Sequence, residues 1–282
     1  MAAGDIIVVN ENTFGKKANL YDGVNDYMLA DAHAVARVAA GDTVGTYTAW
    51  IYIDEGGAGS PQTILSVGDD NSATEFLQFF LEDTGTLKIK LVHGGVTQFE
   101  VRETTASILS RTWTHVAVVQ NGTRPTLYVN GKVVMMTDAV STDLTDWYAK
   151  LTAVDKFAIG VLESNNTHTE DFKGAIGRVK YFVLDLNADE ILIESAGGTH
   201  TKRATAIETA RVFDISMEDD GITDSGSGAD NGTLTGDAYY GGLVSNWSQA
   251  IAANVTGHAG EEMNTLDIGK AGKFLTVIKR GD

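Results

Sequence analysis

Carboxylates dominate the reactive chemistry of this sequence. Asp and Glu number 38 against 21 Lys and Arg, a formal charge of −17 over 282 residues. Three oxygen-rich stretches gather them: Asp69-Asp70-Asn71 with Glu75, Glu163 to His168, and Asp219-Asp220 with Asp224. Such loops supply the hard oxygen ligands that calcium takes, so calcium is the one metal cofactor these residues suggest. None has the fixed ligand spacing of an EF-hand loop, and a plain solvated turn is the alternative for each. Asn and Asp at a rim also suit sugar hydroxyls. Trp147 and Tyr148, in a long connection, are expected as exposed aromatics that stack on sugar rings, with core filling as the equal alternative. The candidate ligand-binding residues are therefore Asp69, Asp70, Asn71, Trp147, Tyr148, Asn165, Asn166 and His168.

Catalysis is not expected. Retaining glycoside hydrolysis needs two carboxyl groups roughly 5 Å apart, which alternate positions on one strand provide. No Glu-x-Asp-x-Glu triplet is present. Glu170 and Asp171 are neighbours that should point to opposite faces, and Asp185, Asp189, Glu190 and Glu194 lie at a helix. The six histidines (33, 93, 115, 168, 200 and 258) lack any ligand spacing. There is no Gly-x-Ser-x-Gly and no Walker loop. With no cysteine, disulfides and thiol catalysis are excluded. An acidic surface repels phosphate backbones, so nucleic acid is not an expected partner. No run approaches the roughly 18 apolar residues of a membrane span. Residues 1–9 lack the basic region of a secretory signal, so a role outside the cell implies an unusual exit or release of an assembled particle.

These residues must be held by strands. Gly numbers 31 and Pro only 2, and short β-prone runs alternate with turn residues throughout. In 46–53, Tyr47, Ala49, Ile51 and Ile53 share one face while Thr48, Trp50 and Tyr52 share the other. Glu82-Asp83-Thr84-Gly85 predicts a hairpin turn. Asn121-Gly122 and Asn130-Gly131, each between β-branched runs, predict a meander. Residues 137–155 read as a long loop with a helical turn near Trp147. Asn187 to Glu194 is the one convincing helix, with Asn187 as N-cap and Asp189 and Glu190 in the first turn.

The order of these pieces resembles the laminin-G-like domains of the concanavalin A-like lectin/glucanase superfamily. Leu20-Tyr21-Asp22-Gly23-Val24-Asn25-Asp26-Tyr27 is similar to its F-D-G-x-x-D-Y strand, and Tyr47-Thr48-Ala49-Trp50-Ile51 to F-T-x-x-W-[VI]. Trp113-Thr114-His115-Val116-Ala117-Val118-Val119 resembles W-x-H-V-A, and Leu127-Tyr128-Val129-Asn130-Gly131 resembles L-Y-[VI]-[ND]-G. Ile159-Gly160, then Phe172 to Val179, and the helix complete the set. The resemblance implies an all-β, two-sheet antiparallel jelly-roll sandwich with one short helix. It also implies calcium at a sandwich rim. One phrase is displaced: Asp224 to Gly236, similar to a D-S-S-G-x-x-N-G-T-L-x-G loop that usually precedes the first strand, here follows the helix.

The expected organisation is an N-terminal arm (1–15), a laminin-G-like sandwich (16–196) and a C-terminal extension (197–282). Within the extension, 211–236 should add an edge strand to the same sandwich or to a neighbouring subunit, a truncated second unit without its own core being the rival, and 248–282 should form an assembly tail. The expected function is non-catalytic: a virion structural protein of phage decoration, fibre or knob type, found in the virion. Its partners would be other virion proteins or copies of itself in a homo-oligomer, with surface glycans as further ligands. The alternative is a carbohydrate-binding lectin or adhesin module of bacterial origin, outside the cell.

Overall fold

The structure, a computed structural model, describes residues 17–54, 60–215, 221–236, 238–242, 264–267 and 274–277. In chain order the first strands are β1 (Lys17–Asp22), β2 (Tyr27–Leu29), β3 (Gly45–Ile53), β4 (Gln62–Asp69), β5 (Ser72–Leu81), β6 (Leu87–His93) and β7 (Val96–Glu103). Then come β8 (Thr114–Gln120), β9 (Pro125–Val129), β10 (Lys132–Val133), β11 (Met136–Ser141), β12 (Lys156–Ile159), β13 (Leu162–Ser164), β14 (Thr167–Thr169) and β15 (Lys173–Phe182). The last are β16 (Arg211–Asp214), β17 (Thr233–Thr235), β18 (Tyr239–Gly242), β19 (Asn264–Asp267) and β20 (Phe274–Val277). The helices are α1 (Asp31–Ala40), α2 (Ala188–Ser195) and α3 (Ala204–Ala210), with a 3-10 turn at Tyr148–Lys150.

Two large antiparallel sheets face each other. One runs β10-β9-β8-β3-β15-β1-β18, with β16 also on β15; the other runs β11-β7-β6-β5-β4-β12-β2-β17. The predicted alternation in β3 holds: Tyr47, Ala49, Ile51 and Ile53 enter the core between the sheets, while Trp50 and Tyr52 pack outside with Leu20 and Trp113. The first sheet is covered on its outer side as well. There Ala117, Val119, Tyr128 and Phe182 meet Leu186 and Ile191 of the α2 region and Ile207 of α3. Apolar burial on both faces explains why every residue of β3 is buried.

The turns follow their residues. Asn130 (φ 49°) and Gly131 (φ 77°) both take the left-handed conformation that a two-residue hairpin needs, and they join Val129 to Lys132 in register. Asn187 caps α2 through a full capping box: its side chain accepts from the Glu190 N–H (3.1 Å), and Glu190 accepts from the Asn187 N–H (2.9 Å).

Three expectations need correction. Among the described residues there are three α-helices, not one. Residues 32–40 are Ala-rich and start after Asp31, which favours helix over strand; α1 ends at Gly41 in the left-handed region (φ 67°). Residues 136–141 are strand β11, paired with β7, where a loop was expected. Trp147 and Tyr148 are not surface aromatics: each is 1% exposed. The Gln120 side chain holds the carbonyls of Leu144 and Asp146 (3.0 and 3.1 Å), turning the chain inward. The Trp147 Nε1–H then donates to the Tyr181 hydroxyl (3.0 Å), and the Tyr148 hydroxyl meets that of Tyr47. Their apolar area is worth most inside, and their polar tips are satisfied there.

After α2 the chain returns to the sandwich. β16 pairs with β15 and β17 pairs with β2, so residues 211–236 touch both sheets. Between them, the Asp224 carboxylate accepts the backbone N–H groups of Asp214, Gly226 and Asp230, each at 2.7 Å. Gly226 is required by contact, since a Cβ there would lie 2.6 Å from the Phe213 nitrogen. The expected arm at 1–15 lies outside the described residues. Of the expected tail at 248–282, the described part is β19 paired with β20.

Candidate functional site

Two of the three oxygen-rich loops meet at one end of the second sheet. The β4–β5 turn carries Asp69, Asp70 and Asn71, and the Asn71 N–H donates to the Asp69 carboxylate (2.8 Å), a side-chain-stabilised turn. About a hundred residues later, β13 and β14 form a hairpin whose turn residues Asn165 and Asn166 both have positive φ (55° and 50°). Asn tolerates that conformation, as a two-residue hairpin requires. The hairpin lies against β4 because position 68 is glycine; a Cβ there would fall 2.0 Å from the Glu163 carbonyl oxygen. The Ser66 hydroxyl then donates to the Val161 carbonyl (2.8 Å) and accepts from the Glu163 N–H (3.1 Å). The Asn165 N–H closes the join on the Asp69 carbonyl (2.7 Å).

Residues that sequence reasoning did not single out complete the site. Asp155, just before β12, donates its N–H to the Gly68 carbonyl (3.0 Å), and its carboxylate accepts the Asp70 N–H (3.1 Å). Oxygens of Asp69, Asp70 and Asp155 lie within 4.8 Å of one another. Asp31, at the start of α1, is tied to the same place by Lys156, whose ammonium sits 3.1 Å from Asp31 and 3.6 Å from Asp70. The acid before an Ala-rich run could have singled out Asp31 as a helix start, and nothing local marks Asp155.

Glu163 is the unusual member. Its side chain is 2% exposed. Oε1 has no hydrogen-bond partner, and Oε2 faces the His168 imidazole. Burial pushes the Glu163 carboxyl up to about 7; Lys156 opposes this, while the charges of Asp31, Asp70 and Asp155 reinforce it. His168 is lowered from its ordinary value, chiefly by burial. Its ring stacks on Tyr27, with centroids 4.3 Å apart at 18°. Asn71, Asn165, Asn166 and His168 are exposed at the surface above these carboxylates.

Of the eight residues expected to bind ligand, Asp69, Asp70, Asn71, Asn165, Asn166 and His168 come together here, and Trp147 and Tyr148 do not. Glu75, named with the first loop, is committed elsewhere: its carboxylate accepts the N–H groups of Thr152 and Ala153 (2.8 and 3.0 Å). Asp219 and Asp220 lie outside the described residues. The donor set fits a hard cation: oxygens of Asp69, Asp70 and Asp155 lie within bridging distance of one another.

A family model of laminin-G type, described as the concanavalin A-like lectin/glucanases superfamily, matches residues 22–192. The chain belongs to this superfamily. A comparison with curated proteins finds no match. Among solved structures, the CBM40 module of the Ruminococcus gnavus IT-sialidase is similar, with 18% identity and a TM-score of 0.54. The match covers 64% of this chain and 96% of that one. The same module bound to α2,3-sialyllactose matches equally (18% identity, TM-score 0.54, 64% and 96% covered). A leech intramolecular trans-sialidase complexed with 2,7-anhydro-Neu5Ac matches at 19% identity and a TM-score of 0.54, over 66% of this chain and 28% of its own. At these identities the likeness establishes the fold: an antiparallel jelly-roll sandwich.

Proposed function

We propose that this chain is a non-catalytic carbohydrate-binding domain. It takes calcium through Asp69, Asp70 and Asp155, with Glu163 beneath, and offers Asn71, Asn165, Asn166 and His168 to a glycan. The observation that carries this reading is the convergence of the 69–71 and 163–168 loops on a buried, under-partnered carboxylate. Side-chain amides supply paired donors and acceptors for hydroxyl groups, and calcium would hold the two loops together as they receive the sugar. The solved modules named above, one of them sugar-bound, favour the same class. Extracellular modules bind calcium at roughly 10⁻⁴–10⁻³ M, which suits a surface or secreted location.

The virion reading drew on segments 1–15 and 248–282, and none of the solved structures named above is a virion protein. Glycan binding is the reading that we carry forward. A glycan array of the full chain, in calcium and again in chelator, tests it. Binding that disappears on chelation and in D70N supports the assignment. A blank array in calcium overturns it.

A further inference from the structure

We infer that the glycan received at this rim is uncharged, and that a terminal sialic acid weakens binding there. The inference rests on the carbohydrate-binding reading above and specifies its ligand class.

The charge at the rim is one-sided. Asp31, Asp69, Asp70 and Asp155 bring four carboxylates against the single ammonium of Lys156, a formal charge of −3. Lys156 is already shared between Asp31 and Asp70. The Glu163 side chain, 2% exposed and with no hydrogen-bond partner on Oε1, is a further buried carboxyl beside this group. One divalent cation leaves the four Asp and Lys156 at −1. Cations farther along the same sheet are also spent: Lys88 contacts Glu82 and lies 2.8 Å from Glu100, and Arg102 lies 3.8 Å from Glu82. Lys156, the ammonium among these carboxylates, is taken up by Asp31 and Asp70, while Lys90 of the same sheet lies 5.5 Å over the Phe76 ring. The exposed groups are the amides of Asn71, Asn165 and Asn166, which match hydroxyls and acetamido groups without charge. A structural neighbour does bind α2,3-sialyllactose; the electrostatics of this rim argue against that ligand here.

The size follows from screened Coulomb repulsion. A carboxylate about 8 Å from one net negative charge in water is disfavoured about 1.4-fold at 0.15 M salt and about twofold at 0.01 M. These are lower bounds, because the local dielectric is below that of water. The experiment is a calcium-containing array of glycan pairs that differ only by a terminal sialic acid. It is followed by calorimetry at both ionic strengths on the pair that binds best. The expected result is tighter binding of the neutral member, with a ratio that grows as salt falls. D31N, which removes a charge and frees Lys156 without altering Asp69, Asp70 or Asp155, should narrow the ratio. Equal or tighter binding of the sialylated member overturns this inference and leaves the carbohydrate reading standing. Binding of no pair overturns both.

Discussion

Asp224→Ala is the sharpest test of whether residues 221–236 are part of the sandwich. The side chain makes three hydrogen bonds to backbone N–H groups, those of Asp214, Gly226 and Asp230, each at 2.7 Å, and the residue is 6% exposed. Hydrogen bonds to a charged acceptor contribute about 1.5–3 kcal/mol each, and a buried donor left unpaired costs about 1–3 kcal/mol. Water entering the vacated space will satisfy part of this, so D224A should destabilise the domain by about 3–5 kcal/mol. D224N keeps one oxygen for Asp214 and Gly226 but turns an amide N–H₂ toward the Asp230 N–H. Its cost should fall between those of wild type and D224A. Urea unfolding followed by tryptophan fluorescence reads the effect, because the buried Trp147 reports on the main core. Hydrogen exchange should show lost protection at the amides of 214, 226 and 230. A D224A protein within about 1 kcal/mol of wild type would refute the reasoning and mean that 221–236 lies on the sandwich without supporting it.

Other consequences concern the rim, the core and the helix cap. Glu163 titrates near 7 in the folded chain against 4.5 ordinarily, so the fold holds that proton more tightly than the unfolded chain does. In chelator its contribution is most favourable below pH 4.5 and is lost as pH rises to about 7, on the order of 1–3 kcal/mol after solvent screening. E163Q should remove that slope from urea titrations at pH 5 and 7.5, and an unchanged slope counts against the buried carboxylate. Trp147→Ala should cost about 3–5 kcal/mol as a core deletion. Asn166→Gly, which keeps the positive φ, should change stability by less than about 0.5 kcal/mol while lowering glycan affinity; the reverse pattern would restore Trp147 as the surface residue. Asn187→Ala should cost about 1 kcal/mol through loss of the α2 cap, measured by thermal unfolding, and no change would mean that the capping box is idle.

The local features were legible in the sequence because their causes are local. The β3 alternation, the Asn130-Gly131 turn and the Asn187 cap depend on residues within a few positions of each other, and each appears where the residue types require. The family phrases between Leu20 and Glu194 could be read for the same reason: they are strands and turns in a fixed order. What only the tertiary structure decided is where distant pieces meet. Asp69–Asn71 and Asn165–His168 were separate guesses in the sequence; Gly68, which lets the hairpin lie against β4, makes them one site. Asp31 and Asp155 join it through the pairing of β4 with β12 and the packing of α1, which no local pattern encodes. Trp147 stayed open between two roles for the converse reason, since an aromatic in a loop looks alike to the sequence whether it stacks on a sugar or seals a core. Burial is a property of what surrounds a residue, and for Trp147 the surroundings are its neighbour Tyr148 with Tyr47 and Tyr181, the last two drawn from distant segments that only the folded chain brings to it.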